Sequence, residues 1–170
     1  MDVLWAPWRS QYIQTFKDED KKSEETCFFC EALEAGNDRE MLIVARRKHC
    51  FVIMNRYPYN GGHVLIAPYR HVGELSELDD EELLCLMKTT QEALKVIEHI
   101  SNPHGYNFGA NLGRSAGAGV PGHLHFHIVP RWNGDTSFMT IFSDVKVVSQ
   151  ALDETWEAVH TAYQEMFPDE

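Results

Sequence analysis

The segment "HLHFHIV", residues 123–129, most constrains how this chain can fold, because it alternates histidines with apolar residues. Side chains of a β-strand point alternately to its two faces, so strict alternation predicts a half-buried strand. The apolar residues would enter the core, and the histidines would share the other face about 7 Å apart, two strand steps: His123, His125 and His127. We interpret this row of imidazoles as a chemical site rather than ordinary polar surface.

Two kinds of chemistry fit such a row, and the spacing alone does not choose between them. Two imidazoles at positions i and i+2 can reach one zinc ion. Alternatively, a neutral imidazole nitrogen attacks phosphorus while its neighbours fix its tautomer and hold the phosphate oxygens. The preceding loop, "NLGRSAGAGVPG", favours the second chemistry. Its glycines, among them Gly117 and Gly119, would let backbone N–H groups approach an anion closely, although such a loop by itself is also typical of flexible surface.

Composition limits the partners. The 170 residues suggest one domain, and a net charge of −11 argues against a broad surface for nucleic acid or membrane, which needs a basic patch. A few local donors can still hold a small anionic ligand. The sequence has no 18-residue apolar run and no export signal, so we expect a cytoplasmic protein with reduced cysteines.

Periodicity predicts an α+β domain built on an antiparallel sheet of about five strands with two main helices. The strands are expected within 41–47, 50–56, 57–70, 106–113 and 123–131. One helix should begin at Ser76 and end before Pro103, and a second should run from Leu152 to Pro168. Residues 1–26 are interpreted as an aromatic arm and a charged linker, and residues 27–170 as the domain.

The histidine segment resembles the H-φ-H-φ-H-φ-φ motif (φ is apolar) of the histidine triad (HIT) family, at all seven positions. Upstream, "MNRYPYNGGHVLIAPYRH" resembles that family's N…GH-φ-φ-φ-x-P…H segment. Together these similarities cover about residues 27–135. The "LWAPWR", "AGAGVPGH" and "VPRWNGD" stretches and a C-x-x-C are similar to bacterial diadenosine tetraphosphate phosphorylase-like members.

This resemblance implies an α+β fold, usually a homodimer, that binds adenine mono- or dinucleotides in a shallow cleft. By motif position His125 would be the nucleophile that forms a nucleotidyl-histidine intermediate, and His127 would hold phosphate oxygens. His63 would lie beside them and orient them. Asn55 corresponds to a ribose contact and Asn111 to a phosphate contact.

One position departs from many hydrolases of the family, which carry Gln four residues before the first triad histidine, where this chain has Gly119. We hypothesise that the missing side chain makes room for a second phosphate, which favours phosphorolysis of dinucleoside polyphosphates over their hydrolysis. The alternatives are a hydrolase of nucleoside phosphoramidates or dinucleoside polyphosphates, and a nucleotide-binding module with little turnover.

The cysteines predict a structural metal and no redox cofactor. Cys27 and Cys30 form a C-x-x-C without the strand context of a thioredoxin-like motif, which favours half of a zinc site over a redox pair. The resemblance supplies His71 and His123 as the remaining ligands; the alternative is two reduced buried thiols. Two further cysteines, Cys50 and Cys85, lie in apolar runs and are interpreted as core residues.

Overall fold

The computed structural model describes residues 27–135 and 151–168. The predicted arm and linker, residues 1–26, lie outside the described residues, so the proposed domain boundary stays a prediction. The helices and strands follow in the order α1 (Phe28–Glu34), α2 (Asp38–Met41), β1 (Ile43–Arg46), β2 (Cys50–Met54), β3 (Val64–Pro68), α3 (Asp80–Ser101), β4 (Gly105–Gly109), β5 (Phe126–Arg131) and α4 (Leu152–Met166).

The five strands form one sheet in the order β1-β2-β3-β5-β4, and every neighbouring pair is antiparallel. The central strands β2 and β3 are buried at every position, which explains their continuous apolar sequences. The predicted α+β class, with a five-stranded antiparallel sheet, is confirmed. The two long helices, α3 and α4, are also those that periodicity predicted. Within the described residues, no helix is both long and apolar enough to span a bilayer.

Helix α3 starts four residues later than its sequence suggests. Asp79 caps it: the Glu82 backbone N–H donates to the Asp79 carboxylate (2.9 Å), and the Asp79 N–H donates back to the Glu82 carboxylate (3.0 Å). This capping box satisfies two N–H groups of the first turn. Ser76 lies instead in a 3₁₀ turn, Leu75–Glu77, so the prediction that it opens the helix is wrong.

Helix α4 packs its apolar stripe inward, as its periodicity predicts. Trp156, Val159 and Tyr163 are buried, and the Trp156 indole N–H donates to the Ile43 carbonyl of β1 (3.2 Å). The helix ends at Met166, two residues before Pro168. The bond from Trp156 to Ile43 fixes α4 against β1, the strand at the opposite end of the sheet from β4.

The strand that should carry all three histidines is shorter than predicted. β5 begins at Phe126, so only His127 lies on it. The His123 N–H donates to the Val120 carbonyl in a turn (3.3 Å), and the Leu124 N–H donates to the Val72 carbonyl (2.7 Å). These bonds replace the sheet ladder before Phe126, so the prediction of one strand carrying the whole row is wrong. β4 likewise ends at Gly109, short of the predicted residue 113.

Helix α3 provides a test of where the core sits. Leu86 is completely buried, whereas Leu84, two residues away, is 56% exposed. We expect Leu86→Ala to lower the free energy of unfolding by about 2–5 kcal/mol, because it leaves a cavity in the core. The matched variant Leu84→Ala should change it by less than about 0.5 kcal/mol. Urea unfolding of both variants measures the difference, and equal effects would contradict this packing of α3.

Candidate active site and metal centre

The loop between β2 and β3 places His63 in the histidine cluster and fixes the tautomer of its neutral ring. His63 is completely buried. Its Nδ1 accepts the backbone N–H of Tyr59 (3.1 Å) and faces the Asn55 side-chain amide nitrogen (3.3 Å). The Asn55 oxygen accepts the Tyr57 N–H (2.9 Å), which orients the amide N–H₂ towards His63. Because both partners of Nδ1 are donors, neutral His63 carries its proton on Nε2.

That proton fixes the state of His127 in turn. The His63 Nε2–H donates to His127 Nδ1 (3.0 Å), so neutral His127 must carry its own proton on Nε2. Nε2 of His127 is buried and has no hydrogen-bond partner among the residues that the structure describes. The two imidazoles therefore form a chain of aligned N–H groups that ends in a free donor.

His125 has the opposite tautomer, which leaves a nitrogen lone pair available. Its Nδ1–H donates to the backbone carbonyl of His123 (2.8 Å), since a carbonyl only accepts. Nε2 of neutral His125 is then unprotonated. The ring is 7% exposed, and its centroid lies 5.0 Å from that of His127. The cluster thus places a nucleophilic nitrogen beside an N–H donor, an arrangement suited to phosphoryl transfer.

Burial keeps these imidazoles neutral. Desolvation lowers the pKa of His125 below its ordinary value, against a smaller opposite effect of the bond to His123. For His127, burial and then the proximity of His125 lower the pKa to about 4. An attacking imidazole must be neutral, and burial in this cluster favours the neutral form of both rings.

Sequence reasoning missed the residues that support this cluster. The Tyr59 ring stacks on His63 (centroids 4.9 Å apart) and lies parallel to His127 (6.1 Å). The Phe29 ring lies 4.9 Å from both His123 and His125. Tyr59 acts through its backbone N–H and Phe29 comes from α1, so no local motif marks either of them.

A second polar group ties the same loop to the end of β5. The Asn60 amide donates to the Pro130 carbonyl (2.9 Å) and to the Asp135 carboxylate (2.8 Å). The Arg131 guanidinium also donates to Asp135 through two of its nitrogens, Nε and Nη2, and holds the pKa of that carboxyl far below its usual range. The loop that carries Tyr59 and His63 is therefore anchored at the strand that carries His127.

The glycine-rich loop lies between β4 and the histidines, and its predicted residues are placed as follows. The Asn111 amide donates to the Gly117 carbonyl (3.4 Å), and Gly117 has a φ of +90°, which favours glycine. Gly119 is exposed and has no positive φ, and no atom lies within 4 Å of where its Cβ would be. The structure thus brings Asn111 and Gly117 together and leaves open space at Gly119.

The four predicted metal ligands converge. One donor atom from each of Cys27, Cys30, His71 and His123 lies within 4.8 Å of every other. His123 Nδ1 is 3.3 Å from the Cys27 sulfur and 3.7 Å from the Cys30 sulfur, and His71 Nδ1 is 3.4 Å from the Cys30 sulfur. These residues come from the start of α1, the loop after β3 and the turn before β5. They lie close enough to hold one metal ion.

The tautomer of His123 suits a metal ligand. Its Nε2–H donates to the Pro68 carbonyl (2.9 Å), which leaves the Nδ1 lone pair facing the two thiols. Burial, with a further contribution from Cys27, raises the pKa of Cys30 to about 11, so a metal must displace a proton from that thiol. Gly122 leaves space for His71, because a Cβ there would lie 3.3 Å from the His71 ring.

Comparison with known proteins agrees with this geometry. The model of the HIT domain family matches residues 37–134. The chain is 42% identical over 163 residues to the AP-4-A phosphorylase of Mycobacterium tuberculosis, a match that covers 94% of this chain and 83% of that protein.

Solved structures show the same fold. A hypothetical histidine triad nucleotide-binding protein from Sulfolobus tokodaii superposes with a TM-score of 0.66 at 26% identity, over 84% of this chain and 97% of that one. A zinc-bound histidine triad family protein from Mycobacterium smegmatis also gives 0.66, at 20% identity, over 83% and 95%.

The low pKa of His127 predicts a loss of stability in acid. Below pH 6.5 the unfolded chain takes up a proton on this imidazole, whereas the folded chain does so only near pH 4, so stability falls across that window. The contribution is at most about 3 kcal/mol. We expect His127→Gln to flatten the pH dependence of the unfolding free energy, and the exposed control His99→Gln to leave it unchanged. A wild-type slope retained in His127→Gln would argue against a buried neutral imidazole.

Proposed function

Because this chain belongs to the HIT domain family, we propose that it is an enzyme that cleaves dinucleoside polyphosphates, such as diadenosine tetraphosphate, through a nucleotidyl-histidine intermediate. One observation carries the proposal: His125 is buried and neutral, and its Nδ1–H bond to the His123 carbonyl leaves Nε2 free to attack. The name of the M. tuberculosis relative, an AP-4-A phosphorylase, supports the same substrate class.

In this proposal His125 Nε2 attacks the α-phosphorus. A P–N bond forms while the P–O bond to the remaining polyphosphate breaks, and the leaving oxygen takes the electron pair. His127, held with its proton on Nε2, donates a hydrogen bond to the developing charge on the phosphate oxygens. The positive charge that His125 acquires is stabilised by the His123 carbonyl at its Nδ1–H. An acceptor oxygen then displaces the histidine.

The nucleotide contacts are proposed at the predicted positions. Asn55 uses one N–H towards His63, so its second N–H remains for a ribose hydroxyl. Asn111, Gly117 and Gly119 would face the phosphates from the glycine-rich loop. An acidic protein can still hold a polyphosphate there, because backbone N–H groups and imidazoles supply local donors.

Orthophosphate is the proposed acceptor, and open space at Gly119 supports it. The test is chromatography of diadenosine tetraphosphate after incubation with the protein, with and without orthophosphate. We expect ADP and ATP, and only when phosphate is present. AMP and ATP in both samples would make the protein a hydrolase, and binding without products would favour a nucleotide-binding module.

Replacing the nucleophile separates an enzyme from a binding module. We expect His125→Ala to reduce turnover by at least about 10³-fold while it keeps most of the nucleotide affinity, because the other donors remain. The exposed His99→Ala variant on α3 is the matched control and should keep full activity. Turnover and equilibrium binding measure the two effects, and undiminished turnover in His125→Ala would remove it as the nucleophile.

Substitutions at Gly119 test whether this position selects orthophosphate rather than water as the acceptor. A Cβ at this position would meet no atom within 4 Å and the backbone φ is not positive, so Gly119→Gln should fold normally. We expect it to lower the ADP yield with phosphate at least about tenfold and to produce AMP, whereas Gly119→Ala should still form ADP. Unchanged products in Gly119→Gln would show that this position does not select the acceptor.

We further propose that the metal is zinc in a structural role. Zn–S bonds of about 2.3 Å and Zn–N bonds of about 2.0 Å in a tetrahedron set ligand atoms about 3.5 Å apart. The distances of 3.3, 3.4 and 3.7 Å between thiols and imidazoles fit that requirement. With four protein ligands, zinc would link α1 to the segment that holds His125.

Metal analysis tests the zinc proposal. The wild-type chain should bind one zinc, and Cys27→Ser and His71→Ala should lose most of it, because each removes one of four ligands. His99→Ala is again the control. Zinc content by elemental analysis, and melting temperature with and without chelator, are the measurements. A wild-type chain that neither binds zinc nor responds to a chelator would favour two reduced thiols.

A homodimer is proposed through β4. This strand lies at the edge of the sheet and exposes 47% of Phe108, whose ring stacks on Phe126. Within the part of the chain that the structure describes, no strand pairs with the outer edge of β4, and such an edge with an exposed aromatic residue is suited to contact with a second copy.

A further inference from the structure

Two thiols that the histidine cluster and the metal centre do not use lie in contact with each other. The sulfur of Cys50, the first residue of β2, is 3.4 Å from the sulfur of Cys85 on α3. The Cys50 sulfur also lies 3.3 Å from the Thr89 hydroxyl. Neither thiol is part of a disulfide. From the sequence, we interpreted Cys50 and Cys85 as separate core residues, 35 positions apart. The packing of α3 on β2 brings their sulfurs into contact.

The two thiols differ in access. Cys50 is completely buried, whereas Cys85 is partly exposed. Cys85 lines a groove of about 960 Å³ together with Lys48, Lys88 and Glu92. A small reagent in this groove reaches Cys85 first and meets Cys50 only behind it.

We propose that Cys50 and Cys85 form a redox modification site, at which a small hydroperoxide oxidises Cys85 and Cys50 resolves the product to a disulfide. In the first step the Cys85 sulfur attacks the peroxide, an S–O bond forms, the O–O bond breaks, and the alcohol or water leaves. Cys85 becomes a sulfenic acid. In the second step the Cys50 sulfur attacks Cys85, the S–S bond forms, the S–O bond breaks, and water leaves with the Cys50 proton. Two thiols and one hydroperoxide thus give one disulfide, one alcohol or water, and one water.

The geometry favours the second step. A disulfide needs sulfurs about 2.05 Å apart, so the two atoms must approach by roughly 1.4 Å. Because Cys85 borders the groove, its side chain has room to rotate. Burial holds the pKa of the Cys50 thiol far above its ordinary value, so Cys50 reacts poorly with a peroxide and Cys85 is oxidised first.

The disulfide would join α3 covalently to the sheet. Cys50 pairs in register with Pro68 of β3, and the Pro68 carbonyl accepts the His123 Nε2–H (2.9 Å). The new bond would therefore brace the strands beneath the metal centre. It would also close a long loop of the chain, which stabilises a fold by restricting its unfolded state. None of this depends on the proposed cleavage of dinucleotides.

Peptide mapping without reduction tests the proposal. The full-length chain, supplied with zinc, is treated with about one equivalent of hydrogen peroxide, blocked with N-ethylmaleimide and digested with trypsin. Cys50 and Cys85 then lie in peptides 49–56 and 71–88, whereas Cys27 and Cys30 share peptide 23–39. We expect peptide 49–56 linked to 71–88, at two hydrogens below their summed mass, and reversal by dithiothreitol.

The matched variant Cys85→Ser separates this reaction from damage elsewhere. In it Cys50 should stay a free thiol, because solvent cannot reach it. Peroxide should raise the melting temperature of the wild-type chain by on the order of 5 °C relative to this variant treated in the same way. Sulfinic acid on Cys85 without a cross-link, or a link that forms only in denaturant, would overturn the proposal.

Discussion

The hydrogen bond from His125 Nδ1 to the His123 carbonyl is the interaction on which the rest of the site depends. It sets the tautomer of His125 and leaves the attacking nitrogen unprotonated. The residue that supplies the carbonyl is itself held at both ring nitrogens, by the Pro68 carbonyl on one side and by the two thiols on the other. One residue therefore joins the sheet, the four candidate metal ligands and the proposed nucleophile, and any shift of His123 would misdirect His125.

The loop before β3 orients the other two histidines of the cluster, His63 and His127. The loop before β3 is anchored to β5 by Asn60, and its Tyr59 N–H determines which nitrogen of His63 is protonated. His63 passes that orientation to His127. The two tautomers that the proposed chemistry needs, a bare nitrogen on His125 and an N–H on His127, are thus fixed by backbone groups that cannot titrate.

The same burial that fixes these rings also sets their charge. Desolvation keeps His125 and His127 neutral, so the cluster would bind phosphate through directed N–H groups rather than through net charge. This explains how a chain with a net charge of −11 can present a site suited to an anionic substrate. The cost is sensitivity to acid, since a buried neutral imidazole favours the unfolded state once the pH falls below its ordinary pKa.

The sequence by itself determined the fold class and the two long helices, because alternation and helical spacing are local properties. His71 and His123 were predicted as metal ligands, and His63 as a neighbour of the other histidines, from the resemblance to the HIT family and not from spacing. The sequence did not determine that β5 starts at Phe126, since a turn bond to Val120 and a bond to Val72, which lies in a distant segment, replace the sheet ladder there. Nor did it reveal Tyr59 and Phe29 beside the histidines, or the contact of Cys50 with Cys85. Those pairings arise only when α1 and α3 pack on the sheet, and side-chain proximity across such distances leaves no pattern in one sequence.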